Sequence, residues 1–223
     1  MTGGATPRRR GRPPRVTRDQ ILTTALRLVD RDGLERLTMR RLGAELGVDP
    51  MAIYGHIPDK AALFDGLIEY VLADIELPVP TGQWVEDFGA VARAARSTLL
   101  NHPHVVSLLG TRPPVTEPAF ALLEAITTIL LDAGFSEEQS ADGFDCAGRL
   151  IVGHVLAEAG RPPGGDVDGG EAEHREAQQS LPAERFPALT RIQGAGVSHD
   201  PDRLFEMALN GLTLTLDAHH PAR

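Results

Sequence analysis

The feature that most restricts the fold is a short segment, GVDPMAIYGHIP at residues 47–58, with helical patterns on both sides of it. Gly47 predicts a tight turn, because glycine adopts left-handed backbone angles without steric cost. Asp49 and Pro50 suit the N-cap and first turn of a helix, and Pro58 disfavours helical geometry in the residue before it. The chain is therefore predicted to turn sharply here and then form a helix of about two turns.

Amphipathic helices are predicted on both sides of this segment. The first covers TRDQILTTALRLVDRDG, where Thr17 and Gln20 match the capping-box pattern and apolar residues recur with helical spacing. The second covers LTMRRLGAELG, with Thr38 as its cap, and a longer helix begins near Asp59. Two short helices joined by a tight turn outline a helix-turn-helix.

The rest of the chain is also predicted to be helical. Ala and Leu dominate the apolar residues, and strand-like alternation is nearly absent. Proline and glycine separate further helices, which we expect at about 83–100, 103–110, 116–133, 136–159, 182–191 and 200–219. The expected fold is all-α with about ten helices, and no apolar run approaches the length of a membrane span.

The charge of the chain changes sign near residue 60. Residues 1–60 hold 12 Lys and Arg against 7 Asp and Glu, whereas residues 61–223 hold 10 against 24. A basic N-terminal quarter on an acidic body predicts a local unit that binds a polyanion. We expect a flexible basic arm at 1–16, a helix-turn-helix domain at 17–62 and a larger helical domain at 63–223. Within the larger domain, the Gly-, Pro- and acid-rich residues 161–180 are expected to form a mobile loop.

Other function classes find little support. The single cysteine, Cys146, allows no intrachain disulfide and no cysteine-rich metal site. A metal site made of Cys146 with His102, His104 and His154 is the less favoured alternative, because lone histidines near helix ends are usually structural. No catalytic or cofactor-binding motif is present, so we expect neither an enzyme nor a cofactor. The basic N-terminus is not followed by an apolar stretch, which disfavours a signal peptide and predicts a cytoplasmic protein.

The outer face of the short helix is suited to DNA. Helical spacing directs Ile53 and Ile57 toward the core. The residues left on the outer side are Met51, Ala52, Tyr54, Gly55 and His56. None of them is acidic. Hydroxyl and imidazole groups can bond phosphates, small apolar groups can meet thymine methyls, and the nearby Arg40 and Lys60 add positive charge. The alternative is a plain turn between core helices, with Tyr54 packed inside.

This part of the chain resembles the DNA-binding domain of the TetR (tetracycline repressor) family of bacterial regulators. The match runs along LTMRRLGAELGVDPMAIYGHIPDKAALFDGL and includes the Y-x-H signature of the short helix. The resemblance implies DNA contacts at Arg40, Pro50, Met51, Ala52, Tyr54, Gly55, His56 and Lys60. We add Thr38, at the start of the second helix. We also add Arg10 and Arg12 of the arm, because GRP between arginines resembles an AT-hook core that binds the minor groove.

Four of these positions depart from the family pattern. Pro50, Met51, Ala52 and Gly55 stand where tetracycline repressors have glutamine, proline, threonine and tryptophan. Polar groups that read bases are thus largely absent from the short helix. We expect a different operator sequence, with specificity resting more on Arg40, apolar contacts and DNA shape.

The second part of the chain resembles the ligand-binding and dimerisation domain of the tetracycline repressors. The resemblance is carried by LLGTRP and LLDAGFSEEQSADGFDCAGRLIVGHVLAE. It implies that the helices at about 136–159 and 200–219 form a four-helix bundle across a two-fold axis of a homodimer. Gly143, Gly148 and Gly153 recur every five residues in the first of these helices, either as tolerated flexible positions or as points of close helix approach.

The positions that hold drug-chelated magnesium in the tetracycline repressors are altered here. The metal-binding histidine before L-G-T-R-P corresponds to Leu108, other pocket positions fall near Ile75, Val91 and Ala157, and Thr111 alone is retained. Divalent metals need oxygen or imidazole ligands, so we expect no recognition of tetracycline–magnesium and no metal site. An apolar pocket for a hydrophobic or aromatic effector is expected instead, lined by Leu72, Ile75, Val91, Leu108, Thr111, Phe120 and Phe144.

These expectations combine into a dimeric, ligand-responsive transcriptional regulator. The simplest form is a repressor that binds a palindromic operator, with its two recognition helices about 34–36 Å apart in successive major grooves. A small effector that prefers another dimer geometry would then release it. Two alternatives stay open, namely a constitutive or architectural DNA-binding protein without an effector, and an activator.

Overall fold

The computed structural model describes residues 16–111, 115–159, 182–195 and 200–220. Within these ranges the chain forms ten α-helices, one 3₁₀ turn and no β-strand, which confirms the all-α prediction. The chain divides into two compact units, Met1–Leu67 and Ile68–Arg223. No helix in the described ranges has both the length and the apolar character needed to cross a membrane.

The first unit is built from short helices. They are α1 (Arg18–Asp32), a 3₁₀ turn (Leu34–Arg36), α2 (Met39–Leu46), α3 (Pro50–Tyr54) and the first half of α4 (Lys60–Ala73). The apolar stripe of α1 forms the core with residues from the other three helices and the α3–α4 connection. The fully or nearly fully buried members are Ile21, Leu22, Ala25, Leu28, Val29, Leu42, Ile53, Ile57, Leu63 and Leu67.

Polar caps determine where these helices begin. Thr17 and Gln20 form the predicted capping box, with backbone-to-side-chain hydrogen bonds of 3.0 and 3.2 Å. Thr38 Oγ1 accepts a backbone N–H of the first turn of α2 at 3.2 Å, and Asp49 Oδ1 does the same for α3 at 2.8 Å. Caps of this kind contribute about 1 kcal/mol each, which matters most for helices as short as α2 and α3.

The second unit is organised around one long helix. Its helices after α4 are α5 (Trp84–Leu100), α6 (Pro103–Leu109), α7 (Glu117–Asp132), α8 (Glu137–Glu158), α9 (Pro187–Gly194) and α10 (Pro201–Ala218). α8 packs against α5, α6, α7 and α10. The core around it includes Phe88, Leu130, Val155 and Phe205.

Two boundary predictions need correction. The helix predicted at 182–191 begins only at Pro187, because proline disfavours helical angles in the preceding Phe186, which has φ −130° and ψ 54°. Val16, assigned to the arm at 1–16, is buried and belongs to the first unit. The remainder of the arm and the loop predicted at 161–180 lie outside the described residues.

The three regularly spaced glycines of α8 have different surroundings. A Cβ on Gly143 would lie 2.7 Å from Leu130 Cδ1, so this glycine permits close approach of α7. At Gly148 and Gly153 a Cβ would meet no atom of the described chain within 4 Å. Close helix approach within one chain therefore holds for the first glycine and not for the other two.

Candidate DNA-binding surface and effector cleft

A left-handed glycine and a close backbone approach shape the turn between α2 and α3. Gly47 has φ 67° and ψ 27°, and the Val48 N–H donates to the Gly43 carbonyl at 2.9 Å. A Cβ on Gly43 would lie 2.9 Å from the Val48 carbonyl oxygen and 3.3 Å from the Pro50 ring. Gly43 thus lets α3 begin directly against α2. Sequence reasoning missed this role, although a glycine inside a helix signals a packing constraint.

The outer face of α3 is uncovered. Ile53 and Ile57 are buried beneath it, as predicted, while Met51 is 72% exposed and Tyr54 is 43% exposed. The remaining residues of this face, Ala52, Gly55 and His56, are exposed as well. The alternative with Tyr54 packed inside the protein is therefore wrong. Pro50 is half-buried, with part of its ring turned toward α2.

The basic residues predicted to flank this face lie on the surface of the first unit. Arg40 of α2 and Lys60 at the start of α4 are exposed, and so is Thr38, whose hydroxyl oxygen caps α2. Lys60 Nζ lies over the ring of Phe64, 5.2 Å from the ring centroid. Arg10 and Arg12 lie outside the described residues.

Arg41, next to Arg40, is engaged within the protein. Arg41 bonds Asp32 at 2.5 Å, and Asp32 is also held by Arg31 at 2.9 Å. The hydrogen bond from Arg31 lowers the pKa of Asp32 below its ordinary value. The two successive arginines of α2 therefore differ in their surroundings. Arg41 is neutralised by Asp32, whereas Arg40 is exposed.

The seven residues predicted to line an effector pocket differ in their exposure to solvent. Leu72, Ile75, Val91 and Leu108 are buried, Phe144 is half-buried, and Thr111 and Phe120 are exposed. Leu72 and Ile75 line one cleft of about 360 Å³ between the end of α4, the chain that follows it and the start of α7. The other lining residues of this cleft are Glu69, Ala73, Leu77, Glu117, Pro118, Ala121 and Leu122. The other five predicted residues do not line this cleft.

A buried acid in the second unit is structural. Asp87 accepts hydrogen bonds from the Thr81 N–H at 2.7 Å, the Thr81 hydroxyl at 2.8 Å and the Gly82 N–H at 2.9 Å. These bonds, led by that from the Thr81 backbone, lower the pKa of Asp87. The carboxylate therefore fixes the chain before α5.

The histidines and the cysteine considered as metal ligands are not gathered into a site. In the ranges that the structure covers, no three His, Cys, Asp or Glu residues converge on one point. His154 Nδ1 lies 2.9 Å from the Leu150 carbonyl oxygen, and its ring packs edge-on against Phe205. Cys146 is exposed on α8.

Uncovered apolar side chains lie on α10. Met207 is 65% exposed and Leu214 is 70% exposed. Between them, a Cβ on Gly211 would meet no described atom within 4 Å, as at Gly148 and Gly153 of α8. α8 and α10 pack against each other, so these open positions lie on two neighbouring helices.

Comparison with protein families gives two matches. The model described as "Bacterial regulatory proteins, tetR family" matches residues 21–67, which contain most of α1, all of α2 and α3, and the first half of α4. The model described as "Tetracyclin repressor-like, C-terminal domain" matches residues 78–216, more than half of the chain.

Individual relatives agree with these matches. An HTH-type transcriptional regulator of Saccharopolyspora erythraea is 32% identical over 147 residues, which make up 66% of this chain and 62% of that protein. The tetracycline repressor protein class A from transposon 1721 of Escherichia coli is 31% identical, with 85% of each chain covered. The crystal structure of ActR from Streptomyces coelicolor in complex with actinorhodin has a TM-score of 0.78 at 31% identity, with 92% of this chain and 99% of that chain covered. The chain therefore belongs to the TetR family of bacterial transcriptional regulators, which confirms the resemblance read from its motifs.

Proposed function

We propose that this TetR-family regulator represses transcription from a palindromic operator and leaves it when a small apolar effector binds. The observation that carries the proposal is the uncovered face of α3. A methionine and a tyrosine are exposed there, with no acid among them, while Ile53 and Ile57 anchor the helix from behind. Such a face is suited to a major groove and has no structural role within the first unit.

The proposed DNA contacts have separate tasks. Tyr54, His56 and Lys60 bind phosphate, because their polar groups are exposed at the end of α3 and the start of α4. Arg40 reads base edges from α2, since it is exposed and, unlike Arg41, has no ion pair in the described part of the chain. The remaining proposed contacts are Thr38, Pro50, Met51, Ala52 and Gly55, with Arg10 and Arg12 in the minor groove.

A homodimer supplies the second recognition helix. We place the interface on α8 and α10, where Met207 and Leu214 are uncovered. The open surroundings of Gly148, Gly153 and Gly211 support this choice, because small residues let helices of a second copy approach closely. Two-fold symmetry of the protein then requires a pseudo-palindromic operator.

The effector is proposed to enter the cleft between α4 and α7. Its volume of about 360 Å³ is that of a small-molecule site, and its walls are mostly apolar. Leu108 lacks the ligand atoms that magnesium requires, which supports an effector other than tetracycline–magnesium. The related ActR was crystallised with actinorhodin, and an organic small molecule is proposed here by analogy.

The matched relatives are transcriptional regulators, which supports a regulatory role rather than a catalytic one and a place in the cytoplasm with the DNA.

A single experiment tests the core of the proposal. DNA bound by the purified protein is selected from a random pool, and the selection is repeated with candidate apolar ligands.

We expect enrichment of one palindromic sequence, lost when the effector is present. Enrichment of a sequence without two-fold symmetry would contradict binding by a symmetric dimer. Binding that no ligand weakens would favour the constitutive alternative. Tight, magnesium-dependent binding of tetracycline in a calorimeter would contradict the proposed effector class.

A further inference from the structure

Lys60 is the only lysine of the chain, and it has one specific neighbour. It is the first residue of α4, and its Nζ lies over the Phe64 ring, 5.2 Å from the centroid. The two residues are four positions apart, so their side chains meet on one side of the helix. Lys60 is exposed and Phe64 is half-buried. The protein therefore holds the ring, while the ammonium group faces outward.

The helix itself does not favour a cation at this position. The N-terminal end of a helix carries partial positive charge, which repels an ammonium group. The Asp59 carboxylate caps this end of the helix, with its Oδ1 accepting the Ala62 N–H at 2.8 Å, and offsets part of the repulsion, but among the described residues it forms no ion pair with Lys60. The face of the Phe64 ring offsets the repulsion further, because the ring quadrupole attracts a cation. A lysine held in this way loses less side-chain freedom when it binds an external anion.

We propose that Phe64 is a positioning residue for operator binding, whose ring holds Lys60 ready to meet a DNA phosphate. This inference rests on the proposed function, in which Lys60 is a phosphate contact. Phe64 acts through Lys60 and is not itself assigned a contact with DNA. An aromatic residue one turn into α4 thus contributes to DNA affinity without forming part of the recognition face.

The contact can be measured directly because there is only one lysine. Reductive methylation with ¹³C-formaldehyde labels Nζ of Lys60 and any free α-amino group, and Lys60→Arg identifies the lysine resonance by its loss. In the full-length protein without DNA, we expect this resonance to be shifted upfield by the ring current of Phe64. The shift should be kept in Phe64→Tyr and lost in both Phe64→Leu and Phe64→Met. A wild-type resonance without such a shift would overturn the contact.

The effect on DNA is measured with the selected operator, in a double-mutant cycle. Ordering one long side chain at an interface costs about 2–10-fold in affinity, and the ring spares part of that cost in each subunit, so loss of the ring should weaken dimer binding by roughly 4–25-fold. Phe64→Leu and Phe64→Met should both show this loss, and Phe64→Tyr should bind like wild type. In a Lys60→Ala background the same substitutions should change affinity by less than about twofold.

An equal loss in the Lys60→Ala background would show that Phe64 acts through the fold, and the proposal would then be wrong. Circular dichroism of each variant identifies any that do not fold, and two ringless variants are included for that reason. If wild-type protein selects no operator, the proposed function fails, whereas the ring-current shift still decides whether Phe64 holds Lys60. The two failures are therefore distinguishable.

Discussion

The Pro50 ring fills the space beside Gly43, so that a Cβ on Gly43 would lie 3.3 Å from both Cγ and Cδ of that ring. The same Cβ would lie 2.9 Å from the Val48 carbonyl oxygen, which is backbone and cannot move aside alone. The start of the recognition helix is therefore set by the absence of one side chain on α2.

We expect Gly43→Ala to lower the free energy of unfolding by about 1–2 kcal/mol, because the overlap outweighs the better helix propensity of alanine. Operator affinity should fall as well, since α3 must shift. Gly194→Ala is the matched control, because a Cβ at Gly194 meets nothing within 4 Å in the described chain. Urea unfolding measures both variants, and equal stability of the two would contradict the prediction.

Gly55 offers the opposite test. Its backbone is right-handed, with φ −66° and ψ −18°, and a Cβ would meet only the Ala52 carbonyl oxygen at 3.5 Å. The fold can thus accept a side chain here. We expect Gly55→Ala to raise the free energy of unfolding by about 0.4–1 kcal/mol while it weakens operator binding, since the added methyl group lies on the proposed DNA face. An increase in stability with unchanged affinity would remove Gly55 from the DNA contacts.

Adjacent arginines of α2 should behave differently. Arg40→Ala should change base preference at one position of each half-site, at a cost of about 1–3 kcal/mol for the preferred base pair. Arg41→Ala should leave base preference unchanged and lower stability only slightly, because it breaks a partly exposed ion pair with Asp32. Selection from random DNA with each variant makes the comparison. Uniform weakening by Arg40→Ala would reduce Arg40 to a phosphate contact.

Stability should depend on the ionisation of Asp87. Its pKa is lowered in the folded state, so its contribution is present above its unfolded pKa of about 3.9 and is lost as the pH falls through the folded value. Asn in its place would direct an N–H₂ group at backbone donors. We expect Asp87→Asn to lower Tm by roughly 2–8 °C at pH 7, with the two proteins converging below about pH 4. A difference in Tm between wild type and Asp87→Asn that stays constant from pH 7 to below pH 4 would contradict the prediction.

The proposed dimer interface can be tested on α10. Leu214→Glu places a charge at the uncovered apolar position, and we expect it to weaken dimerisation at least about 100-fold. Leu131→Glu on α7 is the control, because Leu131 is also exposed, at 46%, but lies off α8 and α10. Sedimentation equilibrium measures the association, and the same dimer in both variants would place the interface elsewhere.

Local signals in the sequence predicted most helix boundaries and the exposure of the outer face of α3. Capping at Thr17, Thr38 and Asp49 depends on residues within three positions, so the sequence pattern is enough to find it. The contact between Lys60 and Phe64 is also local, because residues four positions apart meet on one side of a helix, and it could have been predicted from the sequence.

Features that depend on tertiary packing were harder to predict from the sequence. The pairing of Asp32 with Arg41 joins α1 to α2 across nine residues, and periodicity alone does not specify it. The effector residues were assigned partly by correspondence with the tetracycline repressors and partly as further apolar candidates, and neither basis specifies which side chains converge. Thr111 and Phe120 are accordingly exposed, and neither lines the cleft that contains Leu72.

The brevity of α3 has a consequence for genetics. A helix of five residues, Pro50–Tyr54, has no stability of its own, and its shape is imposed by Ile53 and Ile57 in the core beneath it. Order in the recognition surface and folding of the first unit are then one equilibrium. A screen for derepressed mutants should therefore recover buried positions alongside the surface ones, and only a measurement of the folded fraction beside operator affinity will separate the two groups.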